Sequence, residues 1–344
     1  MKRSMIVAAA FLLASSLGLQ ALDAREGLVK VVANESTARI SIYRLTDVAK
    51  GRYEPFLFDQ DPRTSFLTLS ADGRLSKLGD ASDFPFTVAR TDTGVRIEFR
   101  SSSFVVRQIL DFAKSDGSAL ADGLKVTLEI ENVSEHEASL GLRYLLDTWL
   151  GEKSGIHFIT DKRPRISEET AILPTSDDTW VGTPGDRASF MVLLSGPGVD
   201  RPDKVILANW KRLADAPWAF DVNPQRNFTL VPYSINDSAL ALYWEPVPVP
   251  SGGTRRVAFM MGNLNEKGYP ASSETTPTDA IFASTVLGTS PPDAATSMAA
   301  DLVAVRDLIS RIDIAVAEGR TISPDEIAAW GKILDRLEER KKGY

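Results

Sequence analysis

Short stretches of alternating apolar and polar residues follow one another through most of this chain, and they constrain its fold more than any other feature. Residues 39–43, 95–99 and 126–130 alternate strictly, as strands do when one face of their sheet is wet. Residues 240–244 and 257–261 indicate further strands, and the apolar run 190–194 suits a buried one. Turn dipeptides of the Asp-Gly and Thr-Gly kind separate these stretches. The pattern predicts a mainly β protein, an antiparallel β-sandwich over residues 25–267.

The sequence changes character after this β-rich region. Residues 268–292 are rich in Ser, Thr and Pro, which do not form a core, so we predict a linker there. From Met298 to Val316, apolar residues recur at steps of three and four, the spacing of one helix face. Ser323 and Pro324 then have the residue types of a helix start, and a second apolar stripe follows. We therefore predict a C-terminal α-helical hairpin over residues 293–344.

The apolar stripes of the predicted hairpin must be buried against something. The sandwich of the same chain is one candidate, and an envelope protein partner or a second copy of the chain is the other. The residues expected to make a contact of the second kind are Leu302, Val305, Ile309, Trp330 and Leu334.

The first 24 residues have the organisation of a secretory signal peptide. Two basic residues precede an apolar run over residues 5–19, and small residues follow. The run is short for a bilayer span, which takes about 20 apolar residues. We predict cleavage after Ala21 or Ala24, giving a periplasmic or secreted protein with no membrane span in the mature chain. An uncleaved anchor helix is the alternative.

The composition excludes several classes of function. The chain has no Cys, which rules out a disulfide scaffold, a thiolate nucleophile and a Cys-based zinc site. Its formal net charge is −7, and Lys and Arg do not cluster on one predicted face, so nucleic acid is not an expected partner. The motifs also give no reason to expect a cofactor.

Residues 146–158 contain the most distinctive group of polar side chains. Asp147 and Glu152 with His157 could act as acid and base, or could bind a hard cation through oxygen ligands. Alternatively, Asp147 bonds the turn backbone while Trp149 packs in the core. Asp147 and His157 are the catalytic candidates. Because the nucleophile motif G-x-S-x-G is absent, we expect a protein without catalysis rather than a hydrolase.

Two further sets of residues are candidates for binding. Indole rings can stack on the apolar face of a sugar, so a cleft for a glycan could be lined by Trp149, Trp180, Trp210 and Trp218. The alternative is that these rings fill the space between two sheets. Asp59 and Asp61 could ligate calcium, or could simply open a turn.

Two stretches resemble a known family. Residues 125–158, a strand, turn and strand that end in the sequence Leu-Asp-Thr-Trp-Leu-Gly, resemble part of the galactose-mutarotase-like β-supersandwich. Residues 241–246 and 250–259 are similar to the closing pair of strands of that fold. In the enzymes of that family, histidines and a carboxylate act around a sugar ring. The resemblance implies a sandwich of carbohydrate-binding type in which Asp147 and His157 match, while a second catalytic histidine is not matched.

These observations lead to two functional hypotheses of different classes. The first is an exported, non-catalytic envelope protein with an assembly or structural role, whose helical hairpin docks a partner or a second copy. The second is a carbohydrate-binding or carbohydrate-active protein that uses a Trp-lined cleft. An exported hydrolase would require Asp147 and a serine within hydrogen-bond reach of His157.

Overall fold

The computed structural model describes residues 21–48, 50–270 and 324–341, together with six helical positions between 301 and 312. Most of these residues are in strands. The elements are β1 Ala21–Glu26, β2 Val29–Asn34, β3 Ile40–Asp47, β4 Arg52–Pro55, β5 Phe66–Ala71, β6 Arg74–Lys77, β7 Phe86–Arg90, β8 Gly94–Arg100, β9 Phe104–Ala113, β10 Gly123–Asn132, β11 Ala138–Thr148, β12 Ile159–Thr160, β13 Thr170–Ile172, β14 Trp180–Thr183, β15 Phe190–Leu193, β16 Lys204–Asn209, α1 Trp210–Asp215, β17 Ser238–Val249, β18 Thr254–Asn263 and α2 Pro324–Lys341, with a 3₁₀ turn at Pro62–Thr64.

Three antiparallel sheets make up the β region. The largest has the order β12-β14-β15-β18-β10-β9-β8-β7, and the second has the order β13-β16-β17-β11-β5-β6. A four-stranded meander, β1-β2-β3-β4, forms the third sheet. The predicted mainly β class, antiparallel arrangement and individual strands are confirmed.

The two large sheets face each other across one apolar core. Leu142, Tyr144 and Leu146 of β11 and Phe259 of β18 belong to this core. The Tyr144 and Phe259 rings meet edge to face with their centroids 6.1 Å apart. The intervening Leu145 lies on the opposite face of β11, as the period of two requires. Alternation in the sequence therefore corresponds directly to the two faces of the sheet.

The second sheet is covered on its outer face as well. Helix α1 and the residues after it pack there against Leu145 and Tyr243. Arg143, which is fully buried, donates hydrogen bonds to the backbone carbonyls of Leu213 and Ala216 at the end of α1. Its guanidinium also lies 5.5 Å from the centre of the Tyr243 ring. Both long strands of this sheet, β11 and β17, are therefore buried on two sides.

The C-terminal helix packs against the sandwich of its own chain. Ile333 and Leu337 on α2 form an apolar cluster with Ala119 and Leu120, which lie in the loop before β10. Partly buried residues that join this cluster are Leu28, Val48, Val305 and Trp330. The helix begins at Pro324, as the sequence predicted. The described positions in the first half of the hairpin, among them Val305 and Ile309, are helical, as expected.

An aromatic side chain fixes the chain where it leaves the sheet after β18. Tyr269 is buried, and its hydroxyl donates to the Asn263 carbonyl at 3.0 Å. Its ring lies over Gly123 and Gly262, which pair across β10 and β18. A Cβ at either glycine would come within about 2.5 Å of the ring or its hydroxyl, so only glycine leaves room for it. The space above the two glycines, which we call the Tyr269 slot, thus holds the end of the β region against its largest sheet.

Some sequence predictions fall outside the described residues. They are the signal peptide up to residue 20, most of the predicted linker and the side chain of Leu302. In the part of the chain that is described, no helix is both long and apolar enough to cross a membrane.

Candidate ligand-binding site

Two polar strand ends lie side by side at one end of the second sheet. Thr148 closes β11 and pairs in register with Ser238, which opens β17. The Thr148 hydroxyl donates to the Ser238 carbonyl at 3.0 Å. Asp147 lies opposite Ala239 in this antiparallel pair, and Asp237 stands two residues before Ala239, so both carboxyl groups lie at the same end of the sheet and the charge of one acts on the other. We call Asp147, Glu152 and Asp237 the carboxyl cluster.

A tight loop brings the third member of the cluster into place. The Gly151 amide donates to the Thr183 hydroxyl at 3.0 Å, and a Cβ on Gly151 would lie 2.1 Å from the Ile156 carbonyl oxygen. Only glycine therefore allows the loop after β11 to fold back on itself. As a result, the Oε1 atom of Glu152 accepts a hydrogen bond from the Ser238 amide at 3.1 Å.

Burial dominates the electrostatics of this cluster. It raises the pKa of Asp147 to about 7, against a hydrogen bond from Thr64 and with the help of the charges on Asp237 and Asp61. Burial likewise raises the pKa of Glu152 to about 8, although the Ser238 amide opposes the shift. The pKa of Asp237 is also raised by burial. Asp147 and Glu152 therefore hold protons near neutral pH, so these two groups can both donate and accept hydrogen bonds.

His157 lies near the cluster but is not bonded to it. Its ring packs against Phe228, with centroids 4.7 Å apart, and burial lowers its pKa to about 4, as does the charge of Arg165. Its Nδ1 atom is buried and has no hydrogen-bond partner among the described residues. The structure therefore does not join Asp147 and His157 as an acid-base pair, and it brings no serine to Nδ1.

The four candidate tryptophans lie in different surroundings. Trp149 and Trp210 flank the region of the cluster: their indole N–H groups donate to the carbonyls of Pro55 at 3.2 Å and Thr64 at 2.9 Å. Trp218 donates to Glu245 at 3.0 Å on the outer face of the second sheet. Trp180 is buried in a separate apolar cluster with Met191 and Met260. One groove lined by all four indoles is not formed.

Of the two candidate calcium ligands, Asp61 lies close enough to Asp147 for its charge to act on that group, and Asp59 lies beside the Tyr43 hydroxyl. Both oxygens of Asp61 accept hydrogen bonds from the Arg63 guanidinium at 2.8 Å, and Asp61 caps the 3₁₀ turn. Asp59, which stands two residues before Asp61, is partly buried. Across the described residues, no group of three or more His, Asp or Glu side chains is placed to hold a metal ion.

The candidate partner-binding residues divide into two groups. Val305 and Trp330 are partly buried in the contact between the hairpin and the sandwich. Ile309 and Leu334 remain about half exposed, and so does Ile327. Leu302 lies outside the described residues.

Two features of this region were not predicted from the sequence. Asp237 was missed because its place beside Asp147 depends on the register of β11 with β17. The loop over residues 230–236 was missed as well, although three of its side chains, Val231, Tyr233 and Ile235, are 76%, 72% and 76% exposed. The signal that could have found it is the run of residues 227–236, which contains no charged side chain in a chain where a quarter of all residues are charged.

Comparisons with known proteins give a likeness in fold only. No family model matches the sequence. No curated protein matches it either. Similar solved structures include a galactose mutarotase related enzyme from Lactobacillus acidophilus, with 11% identity and a TM-score of 0.44, covering 72% of this chain and 98% of that chain.

Two other solved structures are similar at the same level. A galactose mutarotase-like protein from Lactobacillus casei has 9% identity and a TM-score of 0.41, covering 71% of this chain and 100% of that chain. A TPR-domain containing protein from Parabacteroides distasonis has 10% identity and a TM-score of 0.44, covering 93% of this chain and 65% of that chain. The mutarotase-like sandwich that the sequence resembles is thus present among similar structures, but likeness at this level does not extend to ligand or activity.

Proposed function

We propose that this protein is exported and binds a hydroxyl-rich, uncharged ligand of carbohydrate type at the carboxyl cluster. The observation that carries the proposal is the convergence of three half-buried or buried carboxyl groups, two of them with pKa values raised to about 7 and about 8. The loop after β11 and the loop before β17 meet at this end of the sheet, and loops held by a rigid scaffold commonly carry binding sites.

The chemistry of the cluster suits sugar hydroxyl groups. A protonated carboxyl group donates one hydrogen bond and accepts others, which matches a hydroxyl that does both. Ligands that carry negative charge would be repelled by any carboxylate that does ionise here. Trp149 and Trp210 lie at the margin of the same region and offer apolar ring surface.

Calorimetric titration against a panel of neutral sugars and envelope glycans tests this proposal. We expect a saturable ligand, and Glu152→Ala should weaken it by about tenfold or more, since a buried polar partner would be lost. The control is Glu98→Gln on β8 of the largest sheet, away from the carboxyl cluster. This variant should bind the ligand as the wild type does. A panel with no binder, or a binder that Glu152→Ala and Glu98→Gln affect equally, would remove the proposal. If proton NMR showed that the protein converts the sugar, the proposed function would change from binding to catalysis.

A second candidate function is assembly through the hairpin. It is favoured by Ile309, Ile327 and Leu334, which stay exposed although the neighbouring stripe packs on the sandwich. Light scattering after size exclusion should then detect a dimer or a complex that Ile327→Glu together with Leu334→Glu abolishes. Ile333→Glu is the contrasting variant, because it breaks the internal contact instead. A strict monomer in the wild type, with no captured partner, would contradict this candidate.

Export can be tested at the N-terminus of the protein recovered from cells. Ala24 is fully buried in the core and pairs with Val31, so cleavage after Ala24 would remove most of β1. Cleavage after Ala21 leaves residues 22–26 to pair with β2. We therefore expect N-terminal sequencing of the exported chain to begin at Leu22. An intact Met1 on the membrane fraction would favour the anchor alternative.

A further inference from the structure

A small polar cavity lies at the meeting point of the three sheets. Arg39, just before β3, belongs to the meander side of it, and Gln108 on β9 belongs to the largest sheet. Ser65, just before β5, and Tyr144 on β11 line it from the second sheet. Each of these four side chains is at most 5% exposed. The cavity is therefore a buried polar site inside a core that is otherwise apolar.

Arg39 is the lining residue whose hydrogen bonding is incomplete. Its two terminal nitrogens donate to the Leu78 carbonyl and, at 2.7 Å, to a carboxylate oxygen of Asp80. Its Nε atom is buried and has no hydrogen-bond partner among the described residues. A buried N–H group without an acceptor lowers the free energy of unfolding, so an acceptor in the cavity beside Arg39 would stabilise the protein.

The other polar groups of the cavity can still form hydrogen bonds. Gln108 donates through Nε2 to the Tyr144 hydroxyl at 2.7 Å, so this hydroxyl keeps its own proton to donate. The side-chain carbonyl of Gln108 remains an acceptor. The Ser65 hydroxyl accepts from the Asp147 amide at 2.9 Å and has a second lone pair. The lining thus offers donors from Arg39 and Tyr144 and acceptors from Gln108 and Ser65.

The size and the charge of the cavity decide what can bind in it. Its volume is about 10 Å³, which is roughly the space that one water molecule needs. The guanidinium of Arg39 disfavours a cation. A halide ion would use the donors, but it is larger than water and would leave the acceptors unpaired. A water molecule accepts two hydrogen bonds and donates two, which matches both the volume and the lining.

We propose that this cavity binds one internal water molecule. The water accepts hydrogen bonds from the Arg39 Nε atom and the Tyr144 hydroxyl. It donates to Gln108 and Ser65, and so it joins the meander to both large sheets. Because Ser65 also accepts from the Asp147 amide, the water supports the end of β11 that carries part of the carboxyl cluster. This inference does not depend on what the carboxyl cluster binds.

A high-resolution crystal structure of the full wild-type chain tests the site directly. We expect one isolated density peak within hydrogen-bond distance of at least three of the four polar groups. A second crystal is soaked in bromide, which scatters anomalously whereas water does not, and we expect no anomalous signal in the cavity. The lack of a peak would overturn the proposal. A bromide signal would also overturn it, in favour of a halide site.

A double-mutant cycle tests the bridge in solution. No hydrogen bond joins Ser65 directly to Gln108 in the described part of the chain. Urea denaturation of the wild type, Ser65→Ala, Gln108→Met and the double variant gives the four unfolding constants. If a water bridges the two residues, the second substitution costs less once the first is present. The unfolding constant of the double variant should then depart by about fivefold from the additive value.

The control cycle combines Ser65→Ala with Thr127→Val. Thr127 is buried on β10 but faces away from the core, since its neighbour Leu128 belongs to that core. This pair should be additive to within about twofold. Additivity of Ser65 with Gln108, or equal coupling in both pairs, would overturn the proposal. The crystal experiment uses the wild type, so it decides the question even if a variant does not fold.

Discussion

The protein contains two groups of carboxylates whose pKa values are shifted in opposite directions. Glu98 lies on β8, where Arg96, Arg100 and Arg107 donate to it at 2.6, 3.0 and 2.9 Å. Burial would raise the pKa of Glu98, but these hydrogen bonds lower it to about 2. In the carboxyl cluster, Asp147, Glu152 and Asp237 have no salt-bridge partner among the described residues, and burial raises all three pKa values.

The comparison shows that burial alone does not decide the state of a carboxyl group here. Charged donors reverse its effect at Glu98, and one or two neutral donors do not reverse it at the cluster. The first group therefore stabilises a sheet surface, and the second contains Asp147 and Glu152, which change charge near neutral pH. Stability measured against pH should separate the two.

The largest effect is expected from Asp147→Asn. Because the folded pKa is about 7 and the ordinary value is 3.8, the folded state holds a proton that the unfolded state loses. Stability from this group is thus present at low pH and is lost as pH rises from about 4 to about 7. The wild type should lose on the order of 4 kcal/mol across this window from Asp147, and the variant should not. Urea denaturation at a series of pH values measures it; parallel curves for the two proteins would refute the assignment.

A smaller effect of opposite sign is expected from His157→Gln. The folded pKa of about 4 lies below the ordinary 6.5, so the unfolded state binds the proton first. Stability from this group is present above about pH 6.5 and is lost as pH falls towards 4, by about 2 kcal/mol. The same denaturation series should show a flatter acid limb in the variant. An unchanged acid limb would mean that His157 is solvated rather than buried.

The smallest effect is expected from Glu98→Gln. Its folded pKa of about 2 lies below the ordinary 4.5, so its contribution is present at neutral pH and is lost as pH falls through the range from about 4.5 to about 2. Because Glu98 is partly exposed to solvent, we expect a loss of only about 1 kcal/mol at neutral pH. High salt should shrink this difference while leaving that of Asp147→Asn in place. A loss that is insensitive to salt would point to packing rather than charge.

Much of the fold could be predicted because the pattern that identifies each strand or helix lies within its own short stretch of sequence. The strands β3, β8, β10, β17 and β18 all coincide with runs of alternating residues, and α2 begins at the Pro that was expected to open it. The mainly β class follows from these runs. The order of the strands in the sheets does not follow from these runs. The alternating run around Val126, for example, does not indicate that β10 pairs with both β9 and β18.

The candidate site was only half predictable for the same reason. Asp147 and Glu152 stand in one distinctive stretch, so composition alone draws attention to them. Asp237 joins them through the pairing of Thr148 with Ser238, residues that are 90 positions apart, and no local pattern encodes that register. The tryptophans illustrate the converse: similar residue types suggested one cleft, but the topology placed Trp180 and Trp218 in different layers.

The Tyr269 slot also bears on how the C-terminal helix meets other molecules. Because this ring fixes the chain at the end of β18, α2 is attached to the body on which it docks, and its contact with Ala119 and Leu120 is an intramolecular one. Docking of α2 is therefore an intramolecular event whose extent does not depend on how dilute the protein is. A free protein that competes for the buried stripe of α2 has to displace this contact, whereas the stripe that α2 leaves exposed can be bound without displacing anything.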